Sequence, residues 1–112
     1  MNYGSTVHNE QRLTKRKVLM VKALLTMENA ETMLARTVDV GGEGVCLTVP
    51  VALKPGAIGM VRFDIFHEGK SVAFAARSRV QYCILSNGEY KVGFQFVKLE
   101  ISAMASLSKF LH

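Results

Sequence analysis

The chain has 112 residues, of which 49% are hydrophobic and 21% are charged, a composition that argues against a disordered chain and fits one domain with a single core. No apolar stretch is long enough for a transmembrane helix. The net charge is +5, and such an excess favours an anionic partner.

Six segments alternate apolar and polar residues with a period of two, which is typical of strands with one face in a core. They lie at residues 17–27, 32–40, 45–49, 61–65, 72–84 and 90–96. In the second segment we expect Leu34, Val38 and Val40 to share one face. In the fifth, the alternation continues through Tyr82 and Ile84 to the end of the strand.

Turn residues separate these segments, and the clearest turn is Asn87-Gly88, which favours a type I′ hairpin because both positions tolerate a positive φ. After the last strand the period changes, and residues 101–111 predict a helix with one apolar stripe and Ser102 as its N-cap. None of the short connections contains a crossover helix, so the sheet must be largely antiparallel.

These patterns predict an all-β fold with a terminal helix, in which a six-stranded antiparallel β-barrel is capped by the helix. We expect a single domain over residues 1–112. It would comprise a flexible basic segment at 1–16, the barrel at 17–99 and the helix at 101–111.

The positive charge is concentrated near the N-terminus, where residues 1–27 hold five basic residues against one acidic residue. Nucleic acid, a nucleotide or an acidic protein surface would each suit this charge, and so would a simple solvated tail. The charge by itself leaves all four interpretations open.

Two short motifs have the chemistry of a ligand site. Arg12 and Arg16 are four residues apart, and arginine matches both phosphate oxygens and the O6/N7 edge of guanine. Asp39 precedes a glycine-rich turn, where a carboxylate can accept from a purine N–H and glycines allow close backbone approach to an anion. Each motif alone occurs often by chance.

In this order the two motifs resemble those of the PilZ domain family. The matching residues are Gln11-Arg12-x-x-x-Arg16 for the family's arginine motif and Asp39-x-Gly41-x-x-Gly44 for its D/N-x-S-x-x-G motif. Residues 90–96 are also similar to the family's last strand, so the resemblance runs from about residue 10 to residue 111.

The resemblance implies a PilZ-like split barrel that binds the bacterial second messenger cyclic di-GMP. It implies that the arginines hold guanine and phosphate, and that the aspartate and the glycine turn hold a guanine edge. The residues expected to bind the ligand are Arg12, Arg16, Asp39, Gly41, Gly42 and Gly44, with Gln11 and Lys15 as further candidates.

The sequence departs from the family pattern at two positions. Leu13 stands where many members have a second adjacent arginine, and Gly41 stands where they have serine. Loss of one neutral hydrogen bond from the missing hydroxyl is worth about 0.5–1.5 kcal/mol, which weakens binding by roughly 2- to 13-fold.

The leading interpretation is therefore a receptor that binds cyclic di-GMP and passes the signal to an effector protein as its N-terminal segment becomes ordered. The alternative is a PilZ-like adaptor that docks on a partner without the nucleotide. A small nucleic-acid-binding barrel is a third interpretation, but its stacking aromatics are missing because Phe63, Phe74, Phe94 and Phe96 fall on core faces. We therefore expect no DNA or RNA partner.

We expect no catalytic residues, metal or cofactor. Asp39 and Glu43 have no nucleophile or orienting base nearby in the pattern, and the three histidines lack metal-ligand spacing. The polar first twelve residues do not resemble a signal peptide, so we expect a cytoplasmic protein. In that reducing compartment Cys46 and Cys83 are expected to be free thiols. No membrane partner is expected, and the protein should be a monomer or a weak homodimer.

Overall fold

In a computed structural model of the protein, which describes residues 15–112, seven strands are followed by one C-terminal helix. The elements in chain order are β1 (Arg16–Val18), β2 (Lys22–Met27), β3 (Thr32–Gly41), β4 (Gly44–Val49), β5 (Ile58–His67), β6 (Lys70–Ser86), β7 (Glu89–Lys98) and α1 (Ile101–Leu111). The all-β fold with a terminal helix is thus confirmed, although the sheet has seven strands within these residues and not the six that were predicted.

All strand pairings are antiparallel. Neighbouring strands follow the order β3-β2-β5-β6-β7-β4, and β4 pairs with β3 again, so six strands form a closed ring of pairings. Among the described strands, the short β1 pairs with β3 only.

The predicted first strand, at residues 17–27, is divided into β1 and β2 by an irregularity at residues 19–21. Both parts run along β3, where the Leu19 amide donates to the Val38 carbonyl at 3.1 Å and the Thr37 amide donates to the Val21 carbonyl at 2.8 Å. The buried Thr37 hydroxyl fills the gap, because it accepts from the Val21 amide at 2.9 Å and donates to the Leu19 carbonyl. A β-bulge therefore joins the two strands, and the Thr37 hydroxyl provides hydrogen bonds for its backbone amide and carbonyl groups.

A second irregularity changes which side chains of β3 face the core. The register with β4 shifts between Thr37 and Asp39. Ala35 and Thr37 are buried before the shift and Val40 after it, whereas Leu34 is 59% exposed. The prediction that Leu34 shares a face with Val40 was therefore wrong, because the bulge reverses the alternation between them.

The same effect occurs in β6, whose register with β7 shifts between Val80 and Tyr82. The predicted inward face is buried from Phe74 to Val80, but Tyr82 is 42% exposed and Ile84 is 55% exposed. The single alternation expected through Ile84 was therefore wrong, and the bulge turns Tyr82 toward the surface.

The core fills the inside of the ring of strands. Phe74 lies at its centre, with its ring centroid 4.9 Å from that of Phe63 and 5.5 Å from that of Phe96. The helix α1 buries Leu107 and Phe110 against this core. The helix begins after Glu100, which is the N-cap, so the prediction of Ser102 as the cap was wrong by two residues.

Strand β1 also holds the end of α1. The Lys17 ammonium donates to the Phe110 carbonyl at 3.0 Å and lies 4.8 Å from the centre of its ring. A cation at a helix C-terminus is favoured by the helix dipole and by the aromatic face. In the described part of the chain, α1 is too short to cross a lipid bilayer, and no other helix is present that could.

Candidate ligand-binding site

An open cleft of about 330 Å³ lies where β1, the turn between β3 and β4, and the middle of β6 and β7 come together. The side chains and glycines at its wall are Arg16, Asp39, Gly42, Glu43, Gly44, Gln81, Tyr82, Gly93 and Gln95. Several of the residues predicted from the two sequence motifs therefore meet in one place.

Arg16 and Asp39 form a charged pair at the mouth of this cleft. The Nε and Nη2 atoms of Arg16 donate to the same oxygen, Oδ1 of Asp39, at 3.0 and 2.6 Å. The pair forms because β1 runs beside β3, with Arg16 opposite Gly41 and Val18 opposite Asp39. The side chains are 44% and 34% exposed, so the pair contributes little to folding and remains accessible to a ligand.

The three glycines of the turn have different surroundings. A Cβ atom on Gly44 would lie 2.1 Å from the Phe94 carbonyl oxygen, so glycine is required for β4 to approach β7. A Cβ atom on Gly41 would lie 3.0 Å from the Lys15 carbonyl oxygen and 3.1 Å from Cγ of Arg16, so β1 packs closely on this glycine. Gly42 is exposed, and a Cβ atom there would have no neighbouring atom within 4 Å among the described residues.

Gly42 is therefore the glycine whose backbone is most open to a ligand. Gly41 and Gly44 are buried, and they allow neighbouring strands to approach closely. The serine of the family motif would place its Cβ atom against β1 at position 41. In this chain, the absence of that side chain makes room for the arginine that reaches Asp39.

Tyr82 is a cleft residue that neither sequence motif indicated. Its ring lies over Gly93, since a Cβ atom there would be 2.1 Å from Cε2 of the ring. The two residues are paired across β6 and β7. A glycine opposite an aromatic residue was the available signal, but the bulge before Tyr82 could not be seen in the alternation.

Gln81 and Gln95 were also missed, and their amide groups are joined by a hydrogen bond of 2.8 Å beside the cleft. Two polar side chains on an exposed face of paired strands gave no distinctive pattern in the sequence. They add donors and acceptors to one wall of the cleft.

Beneath the cleft, the Tyr82 hydroxyl donates to the Cys46 thiol at 3.8 Å. Burial raises the pKa of the Cys46 thiol above its ordinary value of 9.0, and the hydrogen bond from Tyr82 opposes this rise. Burial and the same hydrogen bond raise the pKa of Tyr82 above 10.0. Both groups are therefore protonated at neutral pH, and Cys46 is a poor nucleophile.

The remaining predicted residues lie at or beyond the edge of this site. Lys15 lines a neighbouring depression between Gly42 and α1. Arg16 is the first residue of β1, the short strand that runs beside β3. Gln11 and Arg12 lie outside the described residues, and their placement in the site stays a prediction. Residues 15–112 contain no cluster of three or more side chains that could hold a metal ion.

A comparison with known protein families matches residues 10–112 to the PilZ domain. The chain belongs to the PilZ domain family. Its predicted arginine and aspartate motifs both lie within the matched region. No curated protein matches the sequence closely enough to be counted as a relative.

Three solved structures share the fold at low sequence identity. MotI, an inhibitor of motility from Bacillus subtilis, has a TM-score of 0.75 and 9% identity, with 84% of this chain and 46% of that chain covered. PlzA from Borreliella burgdorferi, in complex with c-di-GMP, has a TM-score of 0.68 and 10% identity, with 97% and 44% covered. The PilZ domain of YcgR from Escherichia coli, with c-di-GMP, has a TM-score of 0.68 and 11% identity, with 88% and 86% covered.

The chain therefore spans less than half the length of MotI and PlzA but most of the YcgR domain. It matches one part of each of these two larger proteins. Their other regions have no counterpart in the matched segment.

Proposed function

We propose that this PilZ domain is a receptor for cyclic di-GMP. The observation that carries the proposal is the accessible pair of Arg16 and Asp39 at the mouth of an open cleft, beside the exposed backbone of Gly42. The proposal is supported by two structures of similar fold, PlzA and the YcgR domain, which were solved with c-di-GMP.

The geometry of the pair suggests how a guanine edge would be held. Both bonds from Arg16 go to Oδ1 of Asp39, and no hydrogen bond from residues 15–112 reaches Oδ2. Oδ2 is then available to accept from a guanine N–H, while Arg16 keeps Oδ1 in place. The guanidinium has five N–H donors, so it can contact a phosphate or guanine O6/N7 as well.

Two further groups would complete the contacts. The exposed Gly42 backbone would approach an anionic group, and the exposed face of the Tyr82 ring would stack on a base. We expect Arg12 to add a second guanidinium from the segment that precedes β1. Lys15 and Gln11 would contribute to the same end of the cleft.

We further propose that the domain acts by binding and signalling and not by catalysis. Ligand contacts to Arg12 and Arg16 would draw the N-terminal segment over the cleft and neutralise part of its charge. Arg16 is next to Lys17, which holds the end of α1, so a change at β1 would also reach the helix. The altered surface would be detected by an effector protein in the cytoplasm.

Calorimetric titration of the full chain with cyclic di-GMP, cyclic di-AMP and GTP tests the binding. We expect saturable binding that prefers cyclic di-GMP, because adenine presents an amino donor where guanine has O6. Equal affinity for cyclic di-AMP would contradict the guanine-specific contacts. In parallel, amide exchange of residues 5–16 should slow when the ligand is saturating, and unchanged exchange would contradict the proposed ordering.

The second candidate function is an adaptor that docks on a partner without the nucleotide. It is favoured by one feature of the site, namely that Gly41 supplies no hydroxyl and its buried position is covered by Lys15 and Arg16. The absence of saturable binding in the same titration would support the adaptor and reject the receptor.

A further inference from the structure

A groove of about 410 Å³ lies on the outside of the barrel, across strands β2, β5 and β6 and beside β3. Its apolar wall is made by Leu24 and Leu34, which are paired across β2 and β3 and are 43% and 59% exposed. Its floor is low because β6 places the small residues Ala73 and Ala75 on the outer face. We call this surface the β2–β5 face.

Basic side chains surround the apolar part of the β2–β5 face. Lys22 is opposite Arg36, and Leu24 is opposite Arg62, so three cations border the two leucines. None of these three cations forms an ion pair with any residue from 15 to 112. Asp64 is the acidic side chain among the groove residues. Arg62 also lies opposite Ala75 of β6, so this cation stands between the leucine pair and the alanines. The face therefore has an apolar pair of leucines flanked by basic side chains, with Arg62 toward β6 and with Lys22 and Arg36 along their own strands.

We propose that the β2–β5 face docks an acidic amphipathic helix of a partner protein. Leucine-type side chains from successive turns of such a helix would lie against Leu24 and Leu34, with Arg62 between them and the low alanine floor. Glutamate or aspartate side chains on its flanks would pair with Lys22, Arg36 and Arg62. This arrangement satisfies both the apolar and the charged parts of the surface.

Within residues 15–112, a second copy of this chain does not supply such a helix. Residues 101–112 contain Lys109 and no acidic residue, so α1 has the wrong charge for the basic side chains of this face. Nucleic acid suits the charge but not the leucine pair, because the exposed apolar side chains there are aliphatic and the aromatic rings of Phe63 and Phe74 are buried. An acidic amphipathic helix matches both properties.

The β2–β5 face is separate from the nucleotide cleft, although β3 contributes to both. Leu34 and Asp39 are five residues apart in β3, which corresponds to about 17 Å along an extended strand. The proposal rests on the proposed function only in that the receptor is taken to act through a partner protein. Docking and nucleotide binding can therefore be measured independently.

The probe for this proposal is a synthetic peptide of about 18 residues, long enough to form a helix. It would carry leucines at helical spacing on one face and glutamates on both flanks, with a fluorescent label for anisotropy. A scrambled peptide of the same composition and a single-stranded oligonucleotide serve as control probes. The full chain is titrated without cyclic di-GMP and again with it.

Leu34→Glu and Arg62→Glu test the surface, and Leu85→Glu is the matched control because Leu85 is a comparably exposed leucine, at 66%, near the β6–β7 hairpin. We expect the amphipathic peptide to bind the parent and Leu85→Glu equally and to bind each of the other two variants at least tenfold more weakly. Thermal midpoints and cyclic di-GMP affinity should stay the same in all three variants.

Three results would overturn the proposal: no binding of the amphipathic peptide, equal binding of the scrambled peptide or oligonucleotide, or equal binding to Leu34→Glu. Equal binding of the scrambled peptide or the oligonucleotide would identify the face as a general basic patch, whereas equal binding to Leu34→Glu would place the peptide elsewhere on the protein. Failure of the proposed function has a different signature, in which the peptide binds normally but cyclic di-GMP does not bind.

Discussion

Replacing Arg16 by alanine should weaken cyclic di-GMP binding strongly while leaving the fold nearly unchanged. Arg16 makes two hydrogen bonds to Oδ1 of Asp39, at 3.0 and 2.6 Å, but its side chain is 44% exposed. Exposed ion pairs contribute roughly 0–1 kcal/mol to stability because water and salt screen them. The thermal midpoint should therefore fall by no more than about 8 °C.

The effect on binding should be larger, because a charge-assisted contact to the ligand is worth about 1.5–3 kcal/mol. That corresponds to a dissociation constant raised roughly 10- to 150-fold. Arg36→Ala is the matched control, since it removes the same charge from β3 outside the cleft. Calorimetric titration of the parent and both variants, in one buffer of fixed salt concentration, measures the difference.

Asp39→Ala extends the test to a double-mutant cycle. Because Arg16 and Asp39 contact each other, their effects on binding should not add, and the double variant should lose less affinity than the sum of the two single losses. The reasoning is refuted if Arg16→Ala unfolds the protein but leaves affinity intact, or if Arg36→Ala weakens binding equally. The first result would identify a structural ion pair, and the second a general charge effect.

Four further predictions concern single residues and their control variants. Tyr82→Ala should weaken cyclic di-GMP binding by about 1–3 kcal/mol through lost base stacking, with Tyr82→Phe near the parent in the same titration. Gly44→Ala should destabilise the fold by about 1–3 kcal/mol in denaturant unfolding, because its Cβ would lie 2.1 Å from the Phe94 carbonyl, whereas Gly42→Ala should change stability little. Phe94→Ala should cost about 3–5 kcal/mol in the same assay, since Phe94 is only 3% exposed. Burial raises the pKa of Cys46, so the folded state holds the thiol proton more tightly than the unfolded state does. The free energy of unfolding should therefore fall as the pH rises above 9.0, and Cys46→Ala should make that fall smaller.

The elements of the fold could be predicted from the amino-acid sequence, because each depends on local chemistry. The alternation of apolar residues located the strands, and the change of period located α1. Asn87-Gly88 predicted a hairpin turn, and both residues have the positive φ that a type I′ turn requires, 53° and 80°. The arginine and aspartate motifs also indicated the family, which the match over residues 10–112 shows.

Contacts between distant parts of the chain decide which face of each strand is turned to the core. They also decide which residues come together in the cleft. A bulge reverses the side-chain alternation, so the register shift in β3 put Leu34 on the face opposite Val40, and the shift in β6 turned Tyr82 to the surface. A bulge leaves little trace in a pattern of period two until the partner strand is known. For the same reason, the pairing of β1 with β3 brought Arg16 to Asp39 across 23 residues of chain, since strand register is set by long-range contacts and not by local sequence.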